Sequence, residues 1–346
     1  MKITLLTDYK DNFGSKWKST PYRSGYDQKY LTELFRKEGI EIEFMPLQKV
    51  NFTNQNWKGK IVLYTSSEEV GMHYKQYVED VCLGLEMAGA ILIPRFALLR
   101  ANNNKVFMEF NRQLHIPREL QTIDSLTYGS FEELYADIEA NRINYPCVIK
   151  KASGAMSRGV HLAKNKEELI AFGKLVSKSG SLKTKFKEAV RARKHEGYKQ
   201  DTMHGNKFVI QPFIPGLKND WKVIIYADRF FLLKRHTKDG DFRASGSGHN
   251  YKAGAASEFP PHMFDLVDQF YRSMDVPNFS IDFGYDGEKG YIFEYQGVYF
   301  GTSTTVRSSE YYIKKNNEWI TEPKALDQEQ EFVDSIATYL RRKGML

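Results

Sequence analysis

The sequence has few of the features that mark membrane, disulfide-bonded or low-complexity proteins. It contains two cysteines in 346 residues, Cys82 and Cys147, and both occur in apolar patterns, so we expect buried free thiols and neither a disulfide nor a metal pair. No apolar run is long enough to cross a membrane. The short run after Met1 ends at Asp8, which argues against a signal peptide and predicts a cytoplasmic protein. No repeat is evident, and the length predicts two or three lobes.

Positive charge is concentrated in one part of the chain. The formal net charge is +7, and residues 174–199 contain nine Lys or Arg against Glu188 and Glu196, which accounts for all of it. The balanced remainder argues against nucleic acid as a partner. Gly180, Gly197 and Gly205 and the scarcity of large apolar residues predict a mobile flap or insertion, with a solvated helix face as the alternative.

The first hundred residues alternate strand and helix patterns, which is typical of a parallel sheet covered by helices. Strands are predicted at 3–6, 40–45, 60–65 and 90–93, and helices at 26–37 and 74–87. The second helix has Tyr77, Val78, Val81, Cys82 and Leu85 on one face. Because ligands of such sheets bind at the carboxyl ends of strands, the segment 7–25 is a candidate for substrate contact, with a plain surface loop as the alternative.

An apolar strand at 147–149 ends in paired lysines and passes into a loop of small residues, 152–159. Small side chains let backbone N–H groups approach an anion closely, while Lys150 or Lys151 adds a fixed positive charge. This stretch predicts a phosphate-binding loop, although a hairpin turn with a solvated lysine shows the same pattern.

Helices are predicted from Lys105 onward, capped within 102–104, and at 131–140 and 167–176. After residue 207 the pattern becomes antiparallel, with strands at 208–214, 221–226 and 230–235. A second loop rich in Gly and Ser follows Arg243, and helices at 262–274 and 328–342 complete this part.

A strand pair at 278–296 predicts two opposed carboxylates. If its turn is centred on residue 288, Asp282 and Glu294 lie directly opposite each other, with Gln296 on the same face. The opposite face takes Ile281, Phe283, Phe293 and Tyr295. Carboxylates in such proximity repel unless a cation lies between them, and Mg²⁺ is the natural ion where phosphates supply further ligands. A solvent-facing hairpin with two charges is the alternative.

These motifs, in this order, resemble the ATP-grasp superfamily, whose members include glutathione synthetase, D-alanine ligase and the ribosomal S6 glutamate ligase. The resemblance implies an α/β and α+β fold of three units. These are an N-terminal parallel α/β domain at 1–100, a central subdomain with a glycine-rich lid and a basic insertion at 101–207, and a C-terminal subdomain with a metal site at 208–346. The last two would enclose ATP.

The resemblance also implies roles for individual residues. Those implied for ATP are Lys105, Lys150, Ser153, Gly154, Ser157, Gly159, Gln211, Asp220 and the backbone of Phe213 and Ile214. Those implied for catalysis are Arg235 and Lys150, those for substrate are Arg243, Ser245 and Ser247, and those for metal are Asp282, Glu294 and Gln296. Lys151 would be the solvent-facing neighbour of Lys150. Two positions depart from the family, because Lys222 stands where arginine is common and Gln296 where asparagine is usual.

The implied activity is that of an ATP-dependent carboxylate–amine ligase, which forms an amide through an acyl phosphate and releases ADP and phosphate. Its cofactors would be ATP and Mg²⁺, with Mn²⁺ as an alternative ion, and its partners small-molecule carboxylate and amine substrates of anionic character. No membrane partner is expected, and a homodimer remains open. The alternatives are a kinase of the same fold and a nucleotide-responsive binding protein without turnover.

Overall fold

The computed structural model describes residues 1–154, 159–237, 242–243 and 250–346. The chain begins with a sheet whose four strands are all parallel, in the order β2-β1-β3-β4. These strands are β1 (Lys2–Thr7), β2 (Glu41–Pro46), β3 (Ile61–Tyr64) and β4 (Ile91–Ile93), and the helices between them are α1 (Gln28–Lys37) and α2 (His73–Met87). The predicted parallel α/β arrangement is therefore confirmed.

The predicted face of α2 is wrong at one position. Val78, Val81, Cys82 and Leu85 are buried in the core of the parallel sheet, whereas Tyr77 is 39% exposed. Tyr77 instead makes a tilted ring contact with Tyr74, whose centroid is 5.7 Å away. The amphipathic tyrosine sits at the edge of the apolar stripe.

Two helices lead from this sheet into the rest of the chain. They are α3 (Phe96–Ala101), which the sequence pattern did not predict, and α4 (Lys105–His115). The predicted cap is confirmed, because the Asn104 side chain accepts a hydrogen bond of 3.3 Å from the Phe107 N–H.

The second sheet is antiparallel and has the order β5-β8-β6-β7. Its strands are β5 (Leu126–Tyr128), β6 (Cys147–Lys151), β7 (Val160–Ala163) and β8 (Phe208–Pro212), and its helices are α5 (Phe131–Glu139) and α6 (Lys166–Ser177). Phe131, Leu134, Leu169 and Val176 pack onto Ile149 and Phe208. Strand β8 belongs to this sheet although it lies just beyond the predicted boundary at residue 207.

The predicted basic insertion contains helix α7 (Leu182–Lys194), which joins α6 to β8. Glu188 is the one buried residue of this helix. Over α7 the burial pattern is that of a solvated helix face, and a flap or insertion at 174–199 remains a prediction.

The third sheet is also antiparallel, with the order β13-β12-β9-β10-β14-β15 and β11 paired to β10. Its strands are β9 (Asn219–Tyr226), β10 (Arg229–His236), β11 (Lys252–Ala253), β12 (Asn278–Tyr285), β13 (Gly290–Gln296), β14 (Glu310–Lys315) and β15 (Glu318–Pro323). Helix α8 (Phe264–Met274) covers one face through an aromatic core that includes Phe230, Phe279 and Tyr295, and the short helix α9 (Ser303–Arg307) precedes β14.

The last helix, α10 (Gln328–Arg342), returns to the first sheet. Val333, Ile336 and Leu340 share a core with Ile3 and Leu5 of β1. Single-turn 3₁₀ helices occur at Leu47–Lys49, Val70–Met72, Arg118–Leu120, Gly254–Ser257 and Pro261–Met263.

Both cysteines are free and buried, as predicted. Burial raises the pKa of Cys147 to about 11 and raises that of Cys82 still further. Among the described residues, no helix combines the length and apolar character needed to cross a bilayer.

Candidate active site

The predicted opposition of Asp282 and Glu294 is confirmed, and a β-bulge produces it. Near the turn, Tyr285 pairs with Gly290 and Phe283 pairs with Ile292. The register then shifts by one residue, so that Asp282 pairs with Glu294. Without this shift Asp282 would oppose Phe293 and the carboxylates would not face each other.

The same bulge overturns the predicted side of Phe293. Ile292 occupies the core position beside Phe283, and Phe293 lines a cleft together with Glu294. Gly284 makes room for the ring, because a Cβ at this position would clash with Phe293 Cε2. The Lys150 Nζ lies 5.6 Å from the centroid of the Phe293 ring, within the range of a cation–π contact.

Protein cations face both opposed carboxylates. Lys222 Nζ lies 3.3 Å and Arg235 Nη2 3.2 Å from Asp282 Oδ1, and Lys105 Nζ lies 3.3 Å from Glu294 Oε1. Burial alone would raise the pKa of Asp282, but Arg235 and Lys222 outweigh burial and lower it to about 2. Asp282 is therefore a partly buried carboxylate whose ionised form is favoured by its two cationic neighbours.

Arg235 is held by Asp220 through two parallel contacts. The Arg235 Nε and Nη2 atoms donate to the two carboxylate oxygens of Asp220 at 2.6 and 2.9 Å. This bidentate geometry fixes the plane of the guanidinium. Burial raises the pKa of Asp220 to about 6, with the charge of Asp282 acting in the same direction and Arg235 opposing both.

Lys105 connects the start of helix α4 to the loop after β6. Its Nζ donates to the Gly154 carbonyl at 3.2 Å, and the Gly154 N–H donates to Asn103 Oδ1 at 2.9 Å. Gly154 has a φ of 137°, which an L side chain rarely adopts. The described end of the glycine-rich loop is thus anchored beside the Lys105 ammonium group.

Lys150 projects into the cleft from β6, whereas Lys151 does not line it. Burial lowers the pKa of Lys150, Glu294 partly offsets this effect, and Lys105 adds to it. Within the described residues no carboxylate forms an ion pair with Lys150. An anion in the cleft would supply the missing negative charge.

Apolar side chains also line the cleft. They belong to Val148, Val160, Phe213, Ile214, Leu217 and Phe242. Gln211 also lines the cleft, and its side-chain amide donates to Ser125 Oγ at 3.0 Å and to Glu109 Oε1 at 3.3 Å. The Phe213 N–H donates to the Pro146 carbonyl at 3.3 Å, so it already has a partner within the protein.

A buried charged network on helix α4 supports the bulge. Arg112, 1% exposed, donates to the carbonyl groups of Ile292 at 2.8 Å and Phe293 at 3.3 Å, and lies 3.5 Å from Glu109 Oε2. The guanidinium therefore holds the backbone that precedes Glu294. This role of Arg112 was not predicted from the sequence. The available signal was a pair of charged residues three positions apart on the apolar face of an amphipathic helix.

The structure brings most of the predicted site residues to one cleft of about 1080 Å³, part of which is open to solvent. Those that line it are Lys105, Lys150, Gly154, Gln211, Phe213, Ile214, Asp220, Arg243, Asp282 and Glu294. Arg235 is not among the lining residues but contacts two of them. Ser153 is exposed, and neither Ser153, Gly159 nor Gln296 lines the cleft. Ser157, Ser245 and Ser247 lie outside the described residues.

Gln296 shares a face of β13 with Glu294 and pairs with Ser280 of β12, so its predicted side of the strand agrees with the observed register. Its role as a metal ligand remains a prediction. Across residues 1–154, 159–237, 242–243 and 250–346, no group of three or more His, Cys, Asp or Glu is arranged to hold a metal ion.

Comparison with protein-family models and with curated proteins finds no match to this sequence. Among solved structures, the D-cycloserine synthetase DcsG aligns over 98% of this chain and 100% of its own length, with a TM-score of 0.55 and 14% identity. D-alanine–D-alanine ligase from Bacillus anthracis complexed with ATP aligns over 99% and 98%, with a TM-score of 0.51 and 14% identity. An ATP-grasp ligase of Chryseobacterium gregarium in complex with ADP and a leader and core peptide aligns over 99% and 97%, with a TM-score of 0.51 and 13% identity.

These alignments span nearly the whole chain, and they establish that it has the ATP-grasp fold.

Proposed function

We propose that this protein is an ATP-dependent carboxylate–amine ligase that works through an acyl phosphate. The observation that carries the proposal is the composition of the cleft. Apolar side chains such as Phe213 and Leu217 line it together with Lys105, Lys150 and the opposed carboxylates of Asp282 and Glu294, and Arg235 contacts Asp282. Such a cleft suits a nucleotide, whose flat base takes apolar surface and whose phosphates take positive charge.

The apolar part of the lining would hold the adenine base. Val148, Phe213 and Leu217 supply apolar surface, and the backbone of Phe213 and Ile214 is the candidate for polar contact with the base. Because the Phe213 N–H is already used, its carbonyl and the Ile214 backbone are the groups we assign to adenine. Gln211, whose amide donates hydrogen bonds to Glu109 and Ser125, would shape the cleft beside the base.

Lys105 and Lys150 would bind the phosphates. Both side chains are held in a confined, partly desolvated cleft, where charge–charge interactions are stronger than in water. Lys150 has no carboxylate partner in the described chain, and Lys105 faces Glu294 at a distance longer than that of a tight charged hydrogen bond. Ser153, Gly154, Ser157 and Gly159 would form the lid over these phosphates.

Asp282 and Glu294 fit a Mg²⁺ ion. They are ionisable oxygen ligands directly opposite each other, their present partners are cations at 3.2–3.3 Å, and Mg²⁺ commonly uses one or two carboxylates together with phosphate oxygens. Gln296 is the candidate for a third ligand. When bound, the ion would neutralise charge on the transferred phosphoryl group.

Arg235 would stabilise the charge that develops during phosphoryl transfer and on the acyl phosphate. Asp220 fixes its guanidinium plane, so little reorganisation is needed when charge appears. In the reaction, a substrate carboxylate oxygen bonds to the γ-phosphorus as the bond to ADP breaks, and an amine then displaces phosphate from the carbonyl carbon. Arg243 at the cleft, with Ser245 and Ser247, is the proposed contact for a small, anionic carboxylate or amine substrate.

Incubation with ATP, Mg²⁺ and a panel of carboxylic acids tests the proposal, with hydroxylamine as a small trapping amine. A ligase produces a hydroxamate in amounts equal to the ADP and phosphate released. Because hydroxylamine also converts a free acyl phosphate to a hydroxamate, a parallel reaction without hydroxylamine is needed, and a phosphorylated product released there would identify a kinase instead. Nucleotide binding without ADP formation with any acid would contradict both enzymatic functions.

A further inference from the structure

Helix α7 is a basic helix attached to the rest of the protein along one side. Its attachment is centred on Glu188, which accepts hydrogen bonds from the Tyr198 hydroxyl at 2.8 Å, the Asp201 N–H at 2.9 Å and Arg191 Nη1 at 2.7 Å. These contacts fix the orientation of the helix, because they tie one face of it to the segment that follows.

An apolar stripe runs along the face directed away from Glu188. Leu182 is 87% exposed, Phe186 72% and Val190 37%, and their spacing of four residues places them on one face. Phe186 lies two positions from Glu188, which turns the two side chains to opposite sides of the helix. Two large apolar side chains so fully exposed in succession form a contiguous patch of the kind that marks interaction sites.

Positive charges flank this stripe. The helical rotation of about 100° per residue places lysines along both edges of the stripe. One edge has Lys183, Lys187 and Lys194, and the other has Lys185. None of these four lysines forms an ion pair within the described chain. The surface therefore offers apolar contact in the middle and unpaired positive charge at its edges.

A groove of about 1360 Å³, partly open to solvent, begins at the amino-terminal end of α7. Its lining includes Lys178, Leu182, Lys185, Thr202, Met203 and His204. The lining also includes Glu132 and Asp201, so the groove is mixed in charge, and Leu182 and Lys185 belong both to the helix and to the groove.

We propose that α7 and this groove form a docking surface for an acidic polypeptide segment with apolar side chains at helical spacing. Carboxylates would pair with the flanking lysines, and apolar side chains would cover Leu182, Phe186 and Val190, which span about 12 Å. A nucleic acid backbone would use the lysines but leave Leu182 uncovered, and a flat bilayer would not enter the groove. The proposal concerns binding alone and goes beyond the ligase function.

The test uses fluorescence anisotropy with the full-length protein and a labelled acidic peptide that carries leucine at every fourth position and glutamate beside it. A peptide of the same composition in scrambled order is the matched probe. We expect the patterned peptide to bind at least about tenfold more tightly, since its leucines can cover the stripe together, and we expect added salt to weaken binding.

Two double variants separate what the apolar stripe and the lysines each contribute to peptide binding. Leu182→Ser with Phe186→Ser and, separately, Lys183→Glu with Lys187→Glu should each weaken binding at least about tenfold. The controls are Met87→Ser, an exposed apolar residue at the end of α2, and Lys29→Glu on α1, and each should change the affinity less than about twofold.

Four results would overturn the proposal. The first is that the patterned and scrambled peptides bind equally well, and the second is that no peptide binds in low salt. The third is that the affinity is unchanged after removal of the stripe. The fourth is that the protein binds only phosphatidylserine vesicles, single-stranded oligothymidine or a second copy of the chain. Hydroxamate formation by each variant is measured alongside. A docking surface separate from the cleft predicts that turnover of a small acid is unchanged, so failure of docking and failure of the ligase proposal remain distinguishable.

Discussion

Arg112→Met removes the guanidinium that holds the bulge in front of Glu294. Methionine retains much of the length and the apolar character of the buried side chain, so the main effect comes from removing the charge and its hydrogen bonds. The substitution breaks the hydrogen bonds to the Ile292 and Phe293 carbonyl groups and the ion pair with Glu109. We expect Arg112→Met to lower the free energy of unfolding of this region by about 3–5 kcal/mol, the usual effect of leaving one partner of a buried ion pair uncompensated.

This local loss of stability is measured by hydrogen exchange and mass spectrometry on peptides that cover β12 and β13. The method does not require the whole chain to unfold in one step. Arg118→Met is the matched control. Arg118 is paired with Asp124 at 2.7 Å, but both side chains are largely exposed, so we expect a change of about 0–1 kcal/mol.

Adding Glu109→Gln to Arg112→Met should recover part of the lost protection, because it removes the buried charge that the first substitution leaves unpaired. Equal exchange in β13 for Arg112→Met and Arg118→Met would refute this account of the bulge. Arg112→Met should also raise the Mg²⁺ concentration needed for half-maximal nucleotide affinity, since Glu294 follows directly after the supported carbonyl groups.

Three further predictions concern the cleft and the core. Gly284→Ala should displace Phe293 and weaken nucleotide binding at least about tenfold in calorimetry, whereas Gly301→Ala, whose added Cβ meets no atom within 4 Å, should leave it unchanged. Arg235 and Lys222 hold the pKa of Asp282 at about 2, below its ordinary 3.8. The charge of Asp282 therefore stabilises the fold when the pH is above 3.8, and this contribution is lost as the pH falls toward 2. The difference in urea stability between wild type and Asp282→Asn should therefore shrink between about pH 5 and pH 3, and a constant difference would contradict this. The free thiols of Cys82 and Cys147 should not react with a disulfide reagent at about pH 8 in the native protein but should both react in denaturant, because burial shields them and keeps them protonated.

Local patterns predicted most of the elements and several of the site residues. The cap at Asn104 and the terminal helix are local features, and hydrophobic periodicity is sufficient to locate them. The β14–β15 hairpin was missed although its two-residue turn, Asn316–Asn317, has positive φ at both positions, which asparagine tolerates better than most residues. That dipeptide was a usable signal.

Other features depend on contacts between distant parts of the chain. The pairing of Asp282 with Glu294 was predicted from a symmetric turn, but the observed pairing requires a bulge that also turns Phe293 toward the cleft. Nothing local in the sequence marks that bulge. Arg112 donates a hydrogen bond to the carbonyl group of Ile292, which lies 180 positions away along the chain. Helix α10 completes the core of the first sheet from the other end of the chain.

Titration calorimetry of a non-hydrolysable ATP analogue, with and without Mg²⁺, tests whether this cleft binds nucleotide and metal together, using wild type, Lys150→Met and Asp282→Asn. We expect that Mg²⁺ tightens binding to wild type, that Lys150→Met weakens binding at least about tenfold, and that Asp282→Asn loses most of the Mg²⁺ effect. Binding that is equal in all three proteins and indifferent to Mg²⁺, or no binding to wild type, would contradict the assignment of this cleft to Mg²⁺ and ATP.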